Sequence, residues 1–289
     1  IQRALDDHPN GDFIIYLPHG TYKISKQLSW PKSEEPTEAY RRTILQGESM
    51  GGTILILKDN ARGFDNPEIP RAMIYTGIGP HPRHRNAVRD MSLRTGNGNP
   101  GAIGIRFNAA SQGTVFNVKI FSGDKNGAGV AGIDMGFAEN VGPLLLKNIE
   151  VRGFDIGIYT RTPFFGMTLE HISLSGQRKY GIENWDQALT IRGLRSRNSV
   201  PAIYNTGEYA MLTLIDGTLE YVPNKKKPAG PAIINEAGLF VRGVTTSKYK
   251  TPIKSTTPGL GEGIKGQEIL EYVSENLINL CHSPKASMR

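Results

Sequence analysis

Two carboxylate side chains occupy the same position in two similar phrases. Asp134 follows the isoleucine of AGIDMG, and Glu183 follows the isoleucine of YGIEN. If each phrase is a strand of a directly stacked sheet, two phrases that lie two rungs apart place their backbones roughly 9 to 10 Å apart. Two carboxyl groups separated by about 6.5 to 9.5 Å can act as general acid and water-activating base in an inverting hydrolysis. The spacing therefore admits this chemistry, and it equally admits two ordinary surface carboxylates.

The surroundings of the two carboxylates differ. Glu183 is expected between Tyr159 and Tyr204 on the neighbouring rungs, and beside Trp185. Partial desolvation there would raise its pKa, which favours Glu183 as the general acid and leaves Asp134 as the base. Aromatic rings pack on the apolar faces of sugars, and charged groups bind hydroxyls. We predict a sugar-binding role for four residues of these phrases: Tyr159, Arg161, Trp185 and Tyr204.

A second type of segment offers a competing pair of acids. It has alternating apolar residues, as in TLEHISL and LIDGTLE, and predicts a column of outward side chains from successive segments. That column is predicted to contain Arg89, Phe116, Lys147, Glu170, Arg192, Asp216 and Arg242. Glu170 and Asp216 are the second choice for catalysis. The alternating charge also fits a self-neutralising surface ladder or a groove for an anionic polymer.

The elements that would position these side chains are repeated along the chain. A small residue followed by isoleucine recurs at Ile105, Ile133, Ile158, Ile182, Ile203, Ile233 and Ile253. The spacing averages roughly 25 residues, which is typical of a solenoid, and turn-rich pieces without helical periodicity separate the strands. The sequence therefore predicts an all-β, single-stranded, right-handed parallel β-helix.

The two ends of the chain differ from the repeats. The opening IQRALDD predicts an amphipathic helix that caps the first coil, because a solenoid needs a cover over its open end. We expect residues 1–258 to form the β-helix with this cap. Residues 259–289 predict a C-terminal helical cap or connector with apolar Ile269, Leu270, Tyr272, Val273, Leu277 and Ile278.

The composition of the chain limits the classes of binding partner and cofactor that we expect. The formal net charge is +7, but the basic residues are dispersed and no nucleic-acid-binding signature is present, so we expect no nucleic-acid partner. No apolar run is long enough to span a membrane. The single Cys281 excludes an internal disulfide framework. His81 and His84 have near-ligand spacing, but no Cys or carboxylate cluster accompanies them, so we expect neither metal nor cofactor.

The first coils carry a family resemblance. A helix, the strand and turn in DFIIYLPHGTYKISKQLSWP, and TILQGESMGGTILIL resemble the opening of the pectate-lyase superfamily, including rhamnogalacturonase-like proteins, family 55 glycoside hydrolases and phage tailspikes. The resemblance to family 55 implies a second β-helix half beyond this chain. Resemblance to polygalacturonases directs attention to Asp134, Asp155, Lys179 and Glu183, although the paired aspartates and Gly-His-Gly motif of those enzymes are missing.

We therefore expect an extracellular carbohydrate-active protein, in first place a glycoside hydrolase, whose partner is a polysaccharide or oligosaccharide. A polysaccharide lyase is the alternative enzyme, with Lys179, Tyr159 and Arg161 supplying the base and the positive charge. A non-catalytic glycan-binding β-helix, such as a carbohydrate-binding module or a tailspike-like module, is the alternative from a different class.

Overall fold

The protein is described from a computed structural model, which covers residues 1–8, 11–30, 42–77, 83–137, 141–163, 165–224, 228–256, 260–265 and 267–274. Within these residues one short helix, α1 (Gln2–Asp6), precedes twenty-three strands. Leu5 on α1 is buried, and the helix contacts the first strand of a parallel stack. The described structure is thus almost entirely β, as predicted.

The repeated isoleucine phrases form one parallel sheet, which we call the Gly-Ile sheet. Its nine strands in the described residues, each paired with the next, are β3 (Leu28–Ser29), β6 (Arg71–Tyr75), β8 (Ala102–Arg106), β10 (Ala131–Met135), β12 (Ile156–Thr160), β14 (Tyr180–Trp185), β17 (Ile203–Thr206), β19 (Pro231–Asn235) and β21 (Thr251–Ser255). The isoleucines of successive coils pair directly, for example Ile158 with Ile182 and Ile182 with Ile203. The predicted register of this sheet is confirmed.

The alternating segments form a second sheet, which we call the large sheet. Its fourteen strands in the described residues are β1 (Ile14–Leu17), β2 (Gly20–Ile24), β4 (Ile44–Gly47), β5 (Thr53–Leu57), β7 (Ala87–Arg94), β9 (Gly113–Phe121), β11 (Leu144–Arg152), β13 (Gly166–Ser175), β15 (Ala188–Arg192), β16 (Arg195–Asn198), β18 (Met211–Tyr221), β20 (Gly238–Ser247), β22 (Leu260–Lys265) and β23 (Glu268–Val273). All its pairings are parallel except those of β23.

The bend in the large sheet corrects one predicted register. The chain turns at residues with positive φ in successive coils: Asp90, Asn117, Asn148, His171, Gly193, Asp216 and Gly243. Asp216 (φ 55°) therefore occupies the bend, and Ile215 takes its place beside Arg192 and Arg242. Placing Asp216 in the outward column of Glu170 was wrong, because aspartate accepts the left-handed conformation and Gly217 continues the strand.

The space between the two sheets is filled by aliphatic side chains and one polar ladder. The inward isoleucines Ile158, Ile182 and Ile203 are fully buried. Asn184 Nδ2 donates to Asn205 Oδ1, and Asn205 Nδ2 donates to Asn235 Oδ1, each at 2.8 Å. These buried amides satisfy one another along the axis, so the ladder stabilises the stacking of coils without leaving polar atoms unpaired.

The C-terminal segment is not helical where it is described. Residues 268–273, predicted as part of a helix, form β23, which pairs antiparallel with β20 on one side and with β22 on the other. Ile269 and Tyr272 are buried, as the amphipathic pattern required. The free edge of β20 supplies backbone hydrogen-bond partners that a helix could not use, and this outweighs the local helical pattern. Leu277 and Ile278 lie outside the described residues.

Candidate functional site

The outward side of the Gly-Ile sheet carries two neighbouring columns of side chains, which together we call the aromatic face. The first column consists of Tyr75, Arg106, Asp134, Tyr159, Glu183 and Tyr204. The second, two residues further along each strand, consists of Gly136, Arg161, Trp185, Thr206 and Glu236. The structure thus brings Asp134, Tyr159, Glu183 and Tyr204 into one line, as the sequence predicts.

Glu183 is a half-buried carboxyl group at the centre of this face. It lies between Tyr159 and Tyr204 on the adjacent strands. Burial raises the pKa of Glu183, and the positive charge of Lys179 offsets part of that rise. Among the described residues, none forms a salt bridge with Glu183 or donates a hydrogen bond to its carboxyl group. A carboxyl group in this setting holds its proton to higher pH than an exposed one, as a general acid requires.

Asp134 lies two rungs from Glu183, and its carboxylate is fully engaged. Arg106 Nε lies 2.9 Å from Asp134 Oδ2, and the backbone N–H of Gly136 donates to Oδ1 at 3.0 Å. The residue is only 6% exposed. The ring of Tyr159 lies over Gly136, where a Cβ atom would collide with the ring. The carboxylate of Asp134 is consequently paired and covered.

Cation and ring contacts organise the middle of the aromatic face. The guanidinium of Arg161 lies 5.8 Å from the ring centre of Trp185, which is 40% exposed. The pKa of Tyr159 is raised mainly by burial, while Arg161 acts in the opposite direction. An exposed indole and the guanidinium of Arg161 therefore lie near Glu183, where a pyranose ring and its hydroxyls could be bound.

Two residues of this face were not among the predicted site residues. Tyr180, the first residue of β14, stacks on Tyr204 with ring centroids 4.9 Å apart and planes inclined by 30°. The hydroxyl groups of Tyr204 and Thr206 both donate to Glu236 Oε2, at 2.8 and 2.9 Å. Glu236 shares its column with Trp185, and this position was the signal in the sequence that could have identified it.

The predicted residues Asp155 and Lys179 lie at the beginning of the Gly-Ile strands, away from the two columns. Asp155 Oδ1 accepts a hydrogen bond from Arg178 Nε at 2.7 Å, and the Lys179 backbone N–H donates to the Asp155 carbonyl at 2.9 Å. Asp155 is thereby paired with a neighbouring arginine. Lys179 is exposed and acts on Glu183 through its charge.

The second-choice acids lie on the large sheet and both have cationic partners. Lys147 Nζ is 2.7 Å from Glu170 Oε2, and its hydrogen bond lowers the pKa of Glu170. Arg192 Nε is 3.6 Å from Asp216 Oδ2, and both of these side chains are largely exposed. The structure does not bring Glu170 and Asp216 into one column. This arrangement corresponds to a charge ladder on a solvent-exposed surface.

The described part of the chain contains no group of three or more His, Cys, Asp or Glu side chains that could hold a metal ion. Within the same residues, none of the helices has the length and apolar character needed to cross a membrane.

Stacked parallel strands with one outward face of aromatic and charged residues define a pectate-lyase-like right-handed β-helix protein. Residues 1–220 match the family described as rhamnogalacturonase A/epimerase, pectate lyase-like. The chain belongs to this family, which is a carbohydrate-active β-helix family. No curated protein matches the chain.

One of three similar solved structures has a TM-score above 0.5 and agrees on the fold. A pectin methylesterase from carrot is 13% identical, with a TM-score of 0.53, over 89% of this chain and 84% of that one. A pectin methylesterase from Yersinia enterocolitica is also 13% identical, with a TM-score of 0.47, over 94% and 85% of the two chains. The enzymatically active domain of tailspike protein 2 from bacteriophage CBA120 is 10% identical, with a TM-score of 0.49, over 88% of this chain and 40% of that one.

Proposed function

We propose that this protein is a secreted glycoside hydrolase that binds a polysaccharide along the aromatic face and uses Glu183 as its general acid. The observation that carries the proposal is the state of Glu183. It is half-buried between two tyrosines, its pKa is raised by burial, and no described residue forms a salt bridge with it. A protonated carboxyl group can donate its proton to the oxygen of a glycosidic bond as that bond breaks.

The surface around Glu183 supports a glycan ligand. Trp185, Tyr204 and Tyr180 offer apolar rings, while Arg161, beside the Trp185 ring, offers hydrogen-bond donors. Stacked strands about 4.8 Å apart make the two columns a strip tens of ångströms long, which suits an extended polymer rather than a compact metabolite. The family description makes pectic polysaccharides the first substrates to test.

The experiment is a turnover and binding assay on rhamnogalacturonan and polygalacturonan, with a neutral 1,3-glucan as comparison. Wild-type protein is expected to release reducing ends from at least one of the pectic polymers. Glu183→Gln should lower the rate by about 10² to 10⁴ because the amide cannot donate the proton, and should leave polymer affinity nearly unchanged. Glu220→Gln, which changes a carboxylate on the large sheet, is the matched control and should retain full activity.

Full activity in Glu183→Gln would overturn the assignment of the acid. Polymer binding without any product from the wild-type chain would overturn the hydrolase proposal in favour of a non-catalytic glycan-binding module. One observation favours that second candidate: the predicted base, Asp134, is already paired with Arg106 and Gly136.

A lyase would instead yield an unsaturated uronate, detectable by its ultraviolet absorbance. The raised pKa of Tyr159 argues against this residue as the base of a lyase, because a phenol that holds its proton more tightly is a poorer base at neutral pH. Products that absorb in the ultraviolet would nevertheless replace the hydrolase proposal with a lyase.

A further inference from the structure

The proposed acid needs a second carboxylate, and Asp134 is poorly placed to supply it. A water-activating base must reach solvent and have an oxygen free to accept a proton. Both oxygens of Asp134 are already occupied, one by Arg106 and one by the backbone N–H of Gly136, and the residue is almost fully buried.

Glu236 has the opposite properties. It is exposed, and in the described part of the chain no cationic group lies within 4.0 Å of its carboxylate. The Tyr204 and Thr206 hydroxyl groups hold one oxygen, Oε2, at 2.8 and 2.9 Å. No described residue donates a hydrogen bond to the other oxygen. Glu236 is therefore an oriented carboxylate with one oxygen available to a water molecule.

Glu236 lies diagonally across the aromatic face from Glu183, two strands on and two residues further along. Tyr204 lies on the strand next to Glu183, and Glu236 lies one strand beyond Tyr204. The Tyr204 hydroxyl donates to the Glu236 carboxylate at 2.8 Å, which links that carboxylate to the strand next to Glu183. Tyr180, on the same strand as Glu183, stacks on Tyr204. After burial, the charges of Glu183 and Glu236 are the two causes that raise the pKa of Tyr180.

We propose that Glu236 is the water-activating carboxylate that works with Glu183, and that the stacked Tyr180 and Tyr204 form the floor between them. This inference rests on the proposed hydrolase function. Glu236 takes a proton from water as the water oxygen bonds to the anomeric carbon. The bond from that carbon to the glycosidic oxygen breaks, and the departing oxygen takes the proton of Glu183. The reaction is a single displacement that inverts the anomeric configuration.

The test compares Glu236→Gln, Glu183→Gln and Asp134→Asn on rhamnogalacturonan, with Glu220→Gln as control. Glu236→Gln is expected to lose about 10² to 10⁴ in kcat while its melting temperature stays near that of the wild type, since the side chain is exposed. In the pH profile of kcat/KM, Glu236→Gln should lose the limb at low pH, which reports the base. Glu183→Gln should lose the limb at high pH, which reports the acid. A purely structural role would move neither limb.

Chemical rescue gives an independent readout. Azide is a nucleophile that needs no base, so adding it to Glu236→Ala should restore turnover and yield a glycosyl azide of inverted configuration. An inactive Glu183→Gln together with a fully active Glu236→Gln would overturn this inference and leave the proposed function intact, as would a loss of the low-pH limb in Asp134→Asn alone. An inactive wild type, or a fully active Glu183→Gln, would overturn the proposed function instead.

Discussion

Tyr180 and Tyr204 stack across adjacent strands, with ring centroids 4.9 Å apart. The two rings come from different positions of their strands, so the contact crosses the aromatic face diagonally. It fixes the orientation of the Tyr204 hydroxyl, which in turn binds Glu236. A platform that is already ordered loses less conformational entropy when it binds a sugar ring.

The first prediction concerns this platform. Trp185→Ala and Tyr204→Ala should each weaken binding to rhamnogalacturonan by about 1 kcal/mol or more, roughly fivefold in Kd, because each removes apolar stacking surface. Calorimetric titration measures the change. Arg192→Ala, on the large sheet, is the control. If affinity is lost in Arg192→Ala and kept in the aromatic variants, the ligand binds to the large sheet and is anionic.

The second prediction uses two neighbouring isoleucines with opposite orientations. Ile233 is fully buried between the sheets, whereas Ile234 belongs to the outward column beyond Tyr204. Ile233→Asp should lower the free energy of unfolding by several kcal/mol because it buries an unpaired carboxylate, and Ile234→Asp should cost far less. Urea unfolding measures both. Equal losses would contradict the register of the coil.

The third prediction concerns the amide ladder. Asn205→Ala removes the acceptor for Asn184 Nδ2 and the donor to Asn235 Oδ1. Buried polar atoms without partners cost about 1 to 3 kcal/mol each, so we expect a loss of about 2 kcal/mol or more in denaturant unfolding. Glu208→Ala, an exposed change in the same coil, should have little effect. A loss no larger than that of Glu208→Ala would mean that the ladder contributes nothing to stability.

The fourth prediction follows from the pKa of Glu183. Its ordinary value is 4.5, and burial raises the pKa in the folded protein. Between the two values the folded state binds more protons than the unfolded state, so stability falls as the pH rises through this window. Glu183→Gln removes this loss of stability at higher pH. It should be more stable than the wild type at neutral pH, and the difference should vanish below pH 4.5.

Glu220 is the control for this prediction, because its pKa is shifted in the opposite direction to that of Glu183. A hydrogen bond from Lys248, and next one from Arg197, lower the pKa of Glu220 in the folded protein. Its contribution is present above the unfolded pKa and is lost as the pH falls through the folded pKa. Glu220→Gln should therefore be less stable than the wild type at neutral pH, and the difference should shrink in acid. Unfolding curves across a pH series that move both variants in the same direction would contradict the assignment.

The parts of the fold that repeat could be predicted from the sequence. Each Gly-Ile phrase has the same environment as the next, so the inward position of Ile182 and the outward position of Glu183 follow from the alignment of the copies. The resemblance in the first coils is confirmed by the family match over residues 1–220. The amide ladder through Asn184, Asn205 and Asn235 also follows from their shared position.

The predictions that were wrong concern segments that can adopt either of two local conformations. Asp216 and Gly217 both tolerate a left-handed backbone, and the sequence gives no reason to prefer the aspartate as the bend. Residues 268–273 suit a helix or a strand, and only the exposed edge of β20 decides between them.

The sequence could not predict that the Asp134 carboxylate is paired or that hydroxyl groups hold the Glu236 carboxylate, because both depend on side-chain orientation. A column position fixes which residues lie side by side, but it does not fix which carboxylate is paired. Arg106 could have been directed at solvent instead of at Asp134. The two hydroxyl groups that hold Glu236 come from a neighbouring strand, and their donation to Oε2 depends on rotamers.

The amide ladder has a consequence for how this protein can diversify. The hydrogen bond between Asn184 and Asn205 spans 21 residues of chain, and the one between Asn205 and Asn235 spans 30, yet both measure 2.8 Å. Differences in coil length are thus absorbed entirely by the loops between strands. Loops that border the aromatic face can be lengthened, shortened or exchanged without moving the rungs beneath them. Substrate preference can consequently evolve, or be engineered, by loop grafting while the scaffold stays unchanged.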